Sequence, residues 1–367
     1  MKNFDFIIVG GGTSGTVTAA KLIKNGYSVL LLEEGKRNNN PLLSMPAGWI
    51  PMLEGSPYLK FYKSIAQPQL NNRQHDIAQA KVLGGGSSVN GMVYMRGKPS
   101  DYQNWVDETG DERWSWNSLM SSYKKLENNQ RLSGNFHGSD GSIKVSDPGY
   151  VAKGSDLYIK SMQNLGLPYN RDFNDGDQYG VGLMQYTIGD GRRSDTVSTL
   201  IKPLSEDKNL QIKLNTVVTK IIIEKKKATG VEVIFNKKVE KYYGNEIILT
   251  AGSLVSPKIL MHSGIGEEAQ LKKFGIEVIE KLEGVGKNLW ALMIEAMLGE
   301  RNVETNASFE RLTNNYSTLI QGKQFIVLNE VVTTAKRSEA KELANLLKPY
   351  ITDDVVILNP KFQSERR

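Results

Sequence analysis

The residues best suited to chemistry in this chain are glycines near its start. Gly10, Gly12 and Gly15 form a G-x-G-x-x-G turn directly after the apolar run Phe6-Ile7-Ile8-Val9. The run predicts a buried strand, and the pattern through Leu22 predicts a helix. In such a turn the first glycine permits the tight bend and the second lets a pyrophosphate approach the backbone. The third lets helix and strand pack closely. An anion held there meets the free N–H groups of the helix N-terminus, where Thr13 and Ser14 stand. A second strand, Ser28 to Leu32, ends at Glu33, eighteen residues past Gly15. A carboxylate at that distance can accept hydrogen bonds from a ribose diol. Glu34 beside it reads as a solvated charge. Glycine turns are common; strand, turn, helix, second strand and terminal acid in this order point to a bound dinucleotide.

A second glycine cluster follows at Gly84-Gly85-Gly86-Ser87-Ser88. It predicts another anion-cradling turn, opening a helix that contains Val89 to Tyr94. Two such turns suggest a cofactor held at both ends. Arg96 has two open readings, a phosphate ligand or a partner of a core-edge acid. Histidine is the usual base near neutral pH, and the chain has three. His75 lies in a polar loop, His137 in a turn and His262 on the face of a predicted helix; each reads as structural or solvated. With no cysteine anywhere, disulfides, thiolate catalysis and thiolate metal sites are excluded.

The elements that must position these residues need a large core, and 367 residues supply enough chain for two domains or three. The composition is that of a soluble globular protein. A net charge of +6 is spread along the chain, with Lys225-Lys226-Lys227 and Lys237-Lys238 at expected hairpin positions. That distribution gives no nucleic-acid partner. No signal-peptide core and no run of some 18 apolar residues occurs, so no membrane span is expected. With the absence of cysteine, a cytoplasmic location is the expectation. Arg37 to Asp76, rich in Asn, Pro and Gly, reads as a long lid-like excursion. Asn215-Thr216-Val217 opens a strand pair, and Glu246 to Ser253 reads as a strand ending in small residues.

The stretch Ala80 to Gly97, with Asp101-Tyr102 and Trp105 after it, closely resembles the first signature of the glucose–methanol–choline (GMC) flavin oxidoreductases. The helix region Trp114 to Glu127, the turn His137-Gly138-x-x-Gly141 and the segment Arg171-Asp172-Phe173-Asn174 are similar to further parts of that family. Gly191 to Ser194 and Leu200 to Pro203 are similar to its return to the cofactor domain. Ser256 to Gly266 matches its second signature, and Gly284 to Leu289 the segment after it. The resemblance covers residues 1–289 in order, with loops like those of choline dehydrogenases. It implies an α/β fold, an FAD/NAD(P)-binding Rossmann-like domain with a partial α+β substrate domain. Residues 1–130 and 205–289 would form the FAD-binding part, with a lid at about 37–76. Residues 131–204 would belong to the substrate domain, and 290–367 form an atypical C-terminal segment. FAD rather than NAD is the implied cofactor, and a small-molecule alcohol, oxidised by hydride transfer to flavin N5, the implied substrate; the electron acceptor stays open.

The resemblance also implies site residues. Gly10, Gly12, Thr13, Ser14 and Gly15 would hold the pyrophosphate, and Glu33 the adenosine ribose. An adenine-side backbone contact would fall at Val217 or Val218, and Ala251 closes the strand that faces the cofactor. Gly85, Ser88 and Asn90 would line the pyrophosphate and flavin ring, with Asn90 alternatively bracing the turn. The likeness stops where family members carry an acid and a histidine; here Trp290-Ala291-Leu292 stands. The family's late "HxxGTxxMG"-type histidine does not occur, and no histidine follows His262, so no catalytic residue is assigned. The alternative reading is a catalytically inactive, truncated or fused FAD-binding remnant. Beyond residue 290, Gly322 to Glu330 predicts a strand and Ser338 to Leu347 a lysine-rich helix. This tail weakly resembles part of the helicase domain of viral primase–helicases, with Glu330 as a Walker B-like acid. No G-x-x-x-x-G-K-[ST] loop accompanies it, and a packed or loosely attached α/β tail without ATP is expected.

Overall fold

A computed structural model describes residues 3–287 and the short strand Val331–Thr333. The chain divides into two compact units. One takes the described residues up to Met92 and again from Ile188; the other takes Val93–Thr187 together with Val331–Thr333. The expected tail elements, Gly322 to Glu330 and Ser338 to Leu347, lie outside the described residues.

The first unit is built on a six-stranded sheet. Its strands are β1 (Asn3–Val9), β2 (Val29–Leu32), β3 (Leu210–Lys213), β4 (Val217–Glu224), β5 (Lys227–Phe235) and β6 (Lys238–Leu249). Their spatial order is β3-β2-β1-β6-β5-β4. The first four in that order are parallel, and β6, β5 and β4 pair antiparallel. Ile7, Ile8 and Val29 to Leu32 are fully buried. Both faces of these strands are covered, which is why they read as unbroken apolar runs. Phe4, Ile7, Val9, Leu30, Leu32, Val231, Val233 and Ile259 form the main core cluster. Register brings Val9, Leu32, Lys213 and Leu249 level at one edge of the sheet. Helix α1 (Thr13–Lys24) leaves from that edge after β1, and α2 (Gly252–His262) leaves from it after β6. The topology therefore places two helix starts where parallel strands end, the usual ligand position in open α/β sheets.

Two local expectations change. The excursion between β2 and the second glycine cluster is structured. It contains short helical turns at Pro41–Ser44, Pro46–Trp49 and Pro51–Glu54, then an antiparallel hairpin of Leu59–Lys63 with Asp76–Ala80. No helix forms over Val89 to Tyr94. Gly84 and Gly85 take φ of +90° and +54°, Met92 takes +64°, and these left-handed positions break any helical run. A single 3-10 turn, Gly85–Ser88, is followed by the strand Val93–Tyr94.

Among its described residues the second unit holds three α-helices, Pro99–Thr109, Trp116–Leu126 and Lys153–Asn164. Its strands pair in short ladders, Val93–Tyr94 with Gln185–Tyr186 and Val181–Leu183 with Val331–Thr333. Ile159, Met162, Leu167 and Val181 form its core cluster.

Candidate functional site

Gly10 sits at the end of β1 with φ +102°, and a Cβ there would lie 2.6 Å from the carbonyl oxygen of Thr250. Gly15 is tighter: its Cβ would stand 2.0 Å from the Gly10 oxygen. Thr250 fastens this crossing by donating its hydroxyl to Gly10 O at 2.8 Å. Gly12 differs from both. It caps α1 in an extended conformation, and its Cβ would project into space, with Gly85 Cα 3.9 Å away and Thr250 O 4.0 Å away. No side chain caps α1, so its first-turn N–H groups face that space as donors. Thr13 and Ser14 are exposed in the first turn. Ala251, the residue before α2, stands against Gly10.

Glu33 follows β2 and is 8% exposed. One carboxylate oxygen accepts from Gly11 N at 2.8 Å and the other from Gly35 N at 2.7 Å. Burial pushes its pKa up to about 7, against the pull of those two N–H donors. The chain entering β4 lies alongside: Thr216 N donates to Glu33 O and Asn215 N to Gly35 O. Val217 is partly exposed, while Val218 pairs with Val233 and packs on the core. Glu34 is not simply solvated. Its carboxylate meets Lys60 at 2.8 Å and Lys81 at 3.5 Å, and these cations hold its pKa down despite partial burial.

The two glycine turns are not two ends of a site. A Cβ on Gly85 would lie 2.7 Å from Gly12 Cα, and Gly84 N donates to Gly11 O at 2.7 Å. Thr13 Oγ1 donates to Gly84 O and accepts from Ser87 N. The turns interlock back to back and form one cradle. Ser88 is fully buried, its hydroxyl donating to Leu83 O and accepting from Asn38 Nδ2. Its hydroxyl thus braces the turn. Asn90 is exposed, with Oδ1 taken by Met92 N and by Arg193.

The resemblance marked Gly191 to Ser194, but sequence reasoning missed that this segment, continued by Asp195 and Thr196, locks the cradle. Arg193, Asp195 and Thr196 are each at most 5% exposed. Thr196 Oγ1 sits between Thr16 Oγ1 at 2.7 Å and Ser87 Oγ at 3.0 Å, bridging the first helix and the second turn. Asp195 accepts from Asn38 Nδ2 and from the N–H groups of Val197 and Ser198. Arg193 donates to Leu43 O, Ser87 O and Asn90. A charged run in sequence carries no mark of burial, so the available signal was the resemblance of Gly191 to Ser194 to the family's return to the cofactor domain.

In the second unit Arg96 resolves as an ion-pair partner. It meets Glu127 at 2.6 Å with both side chains buried. Glu127 also accepts from Asn129 Nδ2 and Gly138 N. His137 lies between Glu127, 2.8 Å from Nδ1, and Asp172, 2.8 Å from Nε2. Burial pulls the imidazole pKa down, but the hydrogen bonds and charges of Asp172 and Glu127 outweigh it and raise it to about 9. His137 is thus an imidazolium with both nitrogens engaged. The glycines of its turn explain themselves: a Cβ on Gly138 would lie 2.0 Å from Lys124 O, at the end of the helix Trp116–Leu126. His75 sits at the open end of the hairpin, where its N donates to Ser64 Oγ. His262 is exposed at the last residue of α2, roughly 16 Å along the helix from Ala251. Among the described residues, no group of three His, Asp or Glu side chains is placed to hold a metal, and no helix is long and apolar enough to cross a membrane.

Residues 4–293 match the family described as GMC oxidoreductase, and residues 280–367 match a family of unknown function, DUF5906. The chain is 38% identical over 292 residues to an alcohol dehydrogenase [acceptor] of Pseudomonas putida. It is 36% identical over 287 residues to an oxygen-dependent choline dehydrogenase of Rhizobium meliloti. Each alignment takes in 78% of this chain and 52% of the relative, so the chain spans about half the length of the curated relatives it matches. Among solved structures, pyridoxine 4-oxidase from Mesorbium loti superposes with a TM-score of 0.74 at 33% identity, over 77% of this chain and 56% of that one. An FAD-dependent oxidoreductase from Chaetomium thermophilum superposes with a TM-score of 0.72 at 34% identity, over 78% and 52%.

Proposed function

The chain belongs to the GMC oxidoreductases, whose cofactor is FAD, and from that premise we propose that it oxidises the CH–OH group of an alcohol. The observation that carries this reading is the interlocked cradle, in which a Cβ at Gly12 would meet nothing closer than 3.9 Å, leaving room that a pyrophosphate would take. The donor set fits the cofactor: uncapped N–H groups of α1 for its phosphates, a carboxylate at the end of β2 for its ribose. When bound, FAD supplies a flavin ring that accepts hydride from a carbinol carbon.

The remaining work falls to the chain's own residues. Gly10 and Gly15 hold β1 and α1 at touching distance and so fix the direction of the first-turn N–H groups, with Thr13 and Ser14 among them. Glu33, already accepting from Gly11 and Gly35, keeps further lone pairs for a ribose diol. Val217 and Val218 take the adenine side by backbone, since that segment adjoins Glu33. Gly85, close to Gly12, and Ala251, against Gly10, would line the pyrophosphate, and Asn90, further along the loop of Gly85, would serve the flavin. By likeness to the curated relatives named above, alcohols and choline are the substrates to try.

A second reading, FAD binding without turnover, is favoured by where the histidines stand. His137 is held protonated between two carboxylates, and His262 lies far down α2 from the cradle. One experiment separates the two. The full chain is loaded with FAD, freed of excess cofactor and mixed anaerobically with alcohols, choline among them. Bleaching of the flavin band supports alcohol oxidation; a band that stays unchanged with every alcohol leaves a binding protein.

A further inference from the structure

Arg193 is 3% exposed, yet its guanidinium is only partly used by the protein. Nε donates to Leu43 O at 2.9 Å, and Nη1 to Asn90 O and Asn90 Oδ1, both at 2.7 Å, with Ser87 O at 3.3 Å. Nη2 is buried with no hydrogen-bond partner among the described residues. A guanidinium donates and never accepts, so the atom it holds on the Asn90 side chain must be the carbonyl oxygen. The amide is planar, and fixing its oxygen against Arg193 and Met92 N sends its –NH2 the other way. That Nδ2 makes no hydrogen bond among the described residues, and Asn90 is exposed. One arginine thus fixes both the backbone carbonyl and the side-chain orientation of the residue that ends the second glycine turn. It ties them to Leu43, in the excursion after β2.

We propose that Arg193 is a positioning residue: by holding the Asn90 oxygens it presents the Asn90 –NH2 as a fixed hydrogen-bond donor to an acceptor atom of the flavin ring. The inference rests on the FAD reading above and adds to it the side chain that sets the donor. A free asparagine would sample several rotamers and both amide orientations; the fork of Arg193 selects one before the ligand arrives.

The test uses the full chain and reads FAD affinity, by quenching of flavin fluorescence, together with the shape of the visible flavin band. Asn90→Asp keeps an acceptor for Arg193 and removes the donor. It is expected to weaken FAD about tenfold, the loss of one good hydrogen bond. Arg193→Met is expected to weaken FAD to a similar degree. In the double variant Asn90→Ala/Arg193→Met, the loss should be no larger than in Asn90→Ala alone, since both act through one contact. Arg193→Lys keeps the charge without the fork and should show a smaller loss of the same kind. It decides the matter if the methionine variant does not fold. The inference is overturned if Asn90→Asp weakens FAD while Arg193→Lys and every folded Arg193 variant bind it as the unsubstituted chain does. Full additivity in the double variant overturns it too. Asn90→Asp binding FAD as the unsubstituted chain does also overturns the inference and leaves the FAD reading in place; an unsubstituted chain that takes up no FAD removes the underlying reading itself.

Discussion

Gly12 and Gly15 lie three residues apart, and alanine at each is expected to act on a different property. At Gly15 the added Cβ meets the Gly10 oxygen at 2.0 Å and Thr250 Oγ1 at 2.8 Å, so β1 and α1 must move apart. Gly15→Ala is expected to destabilise the chain by about 1–3 kcal/mol, the range for overpacking, read as a lower denaturation midpoint. At Gly12 the same Cβ meets nothing closer than 3.9 Å, and φ is −73°, so no backbone strain arises. Gly12→Ala should therefore melt like the unsubstituted chain and, on the proposed FAD reading, lose FAD, because the methyl would fill the space that reading gives to the pyrophosphate. Glu33 carries a pH signature at the same scale. Its folded pKa of about 7 stands above the ordinary 4.5, so the folded chain binds more protons than the unfolded one between those values. The contribution of Glu33 to stability is full below about pH 4.5 and lost as pH rises through 7. Denaturation of the FAD-free chain across that window should show a loss that Glu33→Gln removes. The glycines and Glu33 were legible because backbone chemistry dictates their types; Arg193 was not, because burial of a charge depends on partners far away in sequence.

Elements differ in how far local chemistry decides them. The β4–β5 and β5–β6 hairpins turn on Lys225-Lys226 and Asn236-Lys237, all four with φ between 48° and 64°. Two left-handed residues in a two-residue loop suit Asn-Gly. Lys237→Gly is accordingly expected to raise stability by about 0.5–1 kcal/mol through relief of that strain, measured by denaturant midpoint. These hairpins were readable as polar lysine pairs between apolar runs. The segment after Ser88 was not, since its left-handed glycines and Met92 override a pattern that resembles a helix. In the second unit, the end of the helix Trp116–Leu126 and the His137 turn are joined by the buried Arg96–Glu127–His137–Asp172 chain. Removing His137 takes one cationic partner from the buried Glu127 and from Asp172, and His137→Ala is expected to cost about 3 kcal/mol. The imidazole pKa is raised from 6.5 to about 9. The stability it contributes is complete below pH 6.5 and disappears as pH rises through 9. In the alanine variant, the alkaline fall in stability over that window should be absent.

At the scale of the whole molecule, the two units differ in how the sequence announces them. The first unit is discontinuous, leaving at Met92 and returning at Ile188. Its strands are apolar enough to read singly, but only the family signatures join the distant halves into one sheet. The match to GMC oxidoreductases ends at residue 293, and a family of unknown function is matched from residue 280 onward. The functional claim therefore rests on the cradle of the first unit. FAD at a hundred times its dissociation constant should stabilise the chain by about 2.7 kcal/mol, seen as a raised melting temperature that Gly12→Ala does not share. The most direct measurement is the visible absorbance of the purified 367-residue chain after incubation with FAD and gel filtration. Flavin bands that travel with the protein, and are lost in Gly12→Ala while its melting temperature holds, are the predicted result. A folded, colourless chain that takes up no FAD would contradict the cradle as a cofactor site.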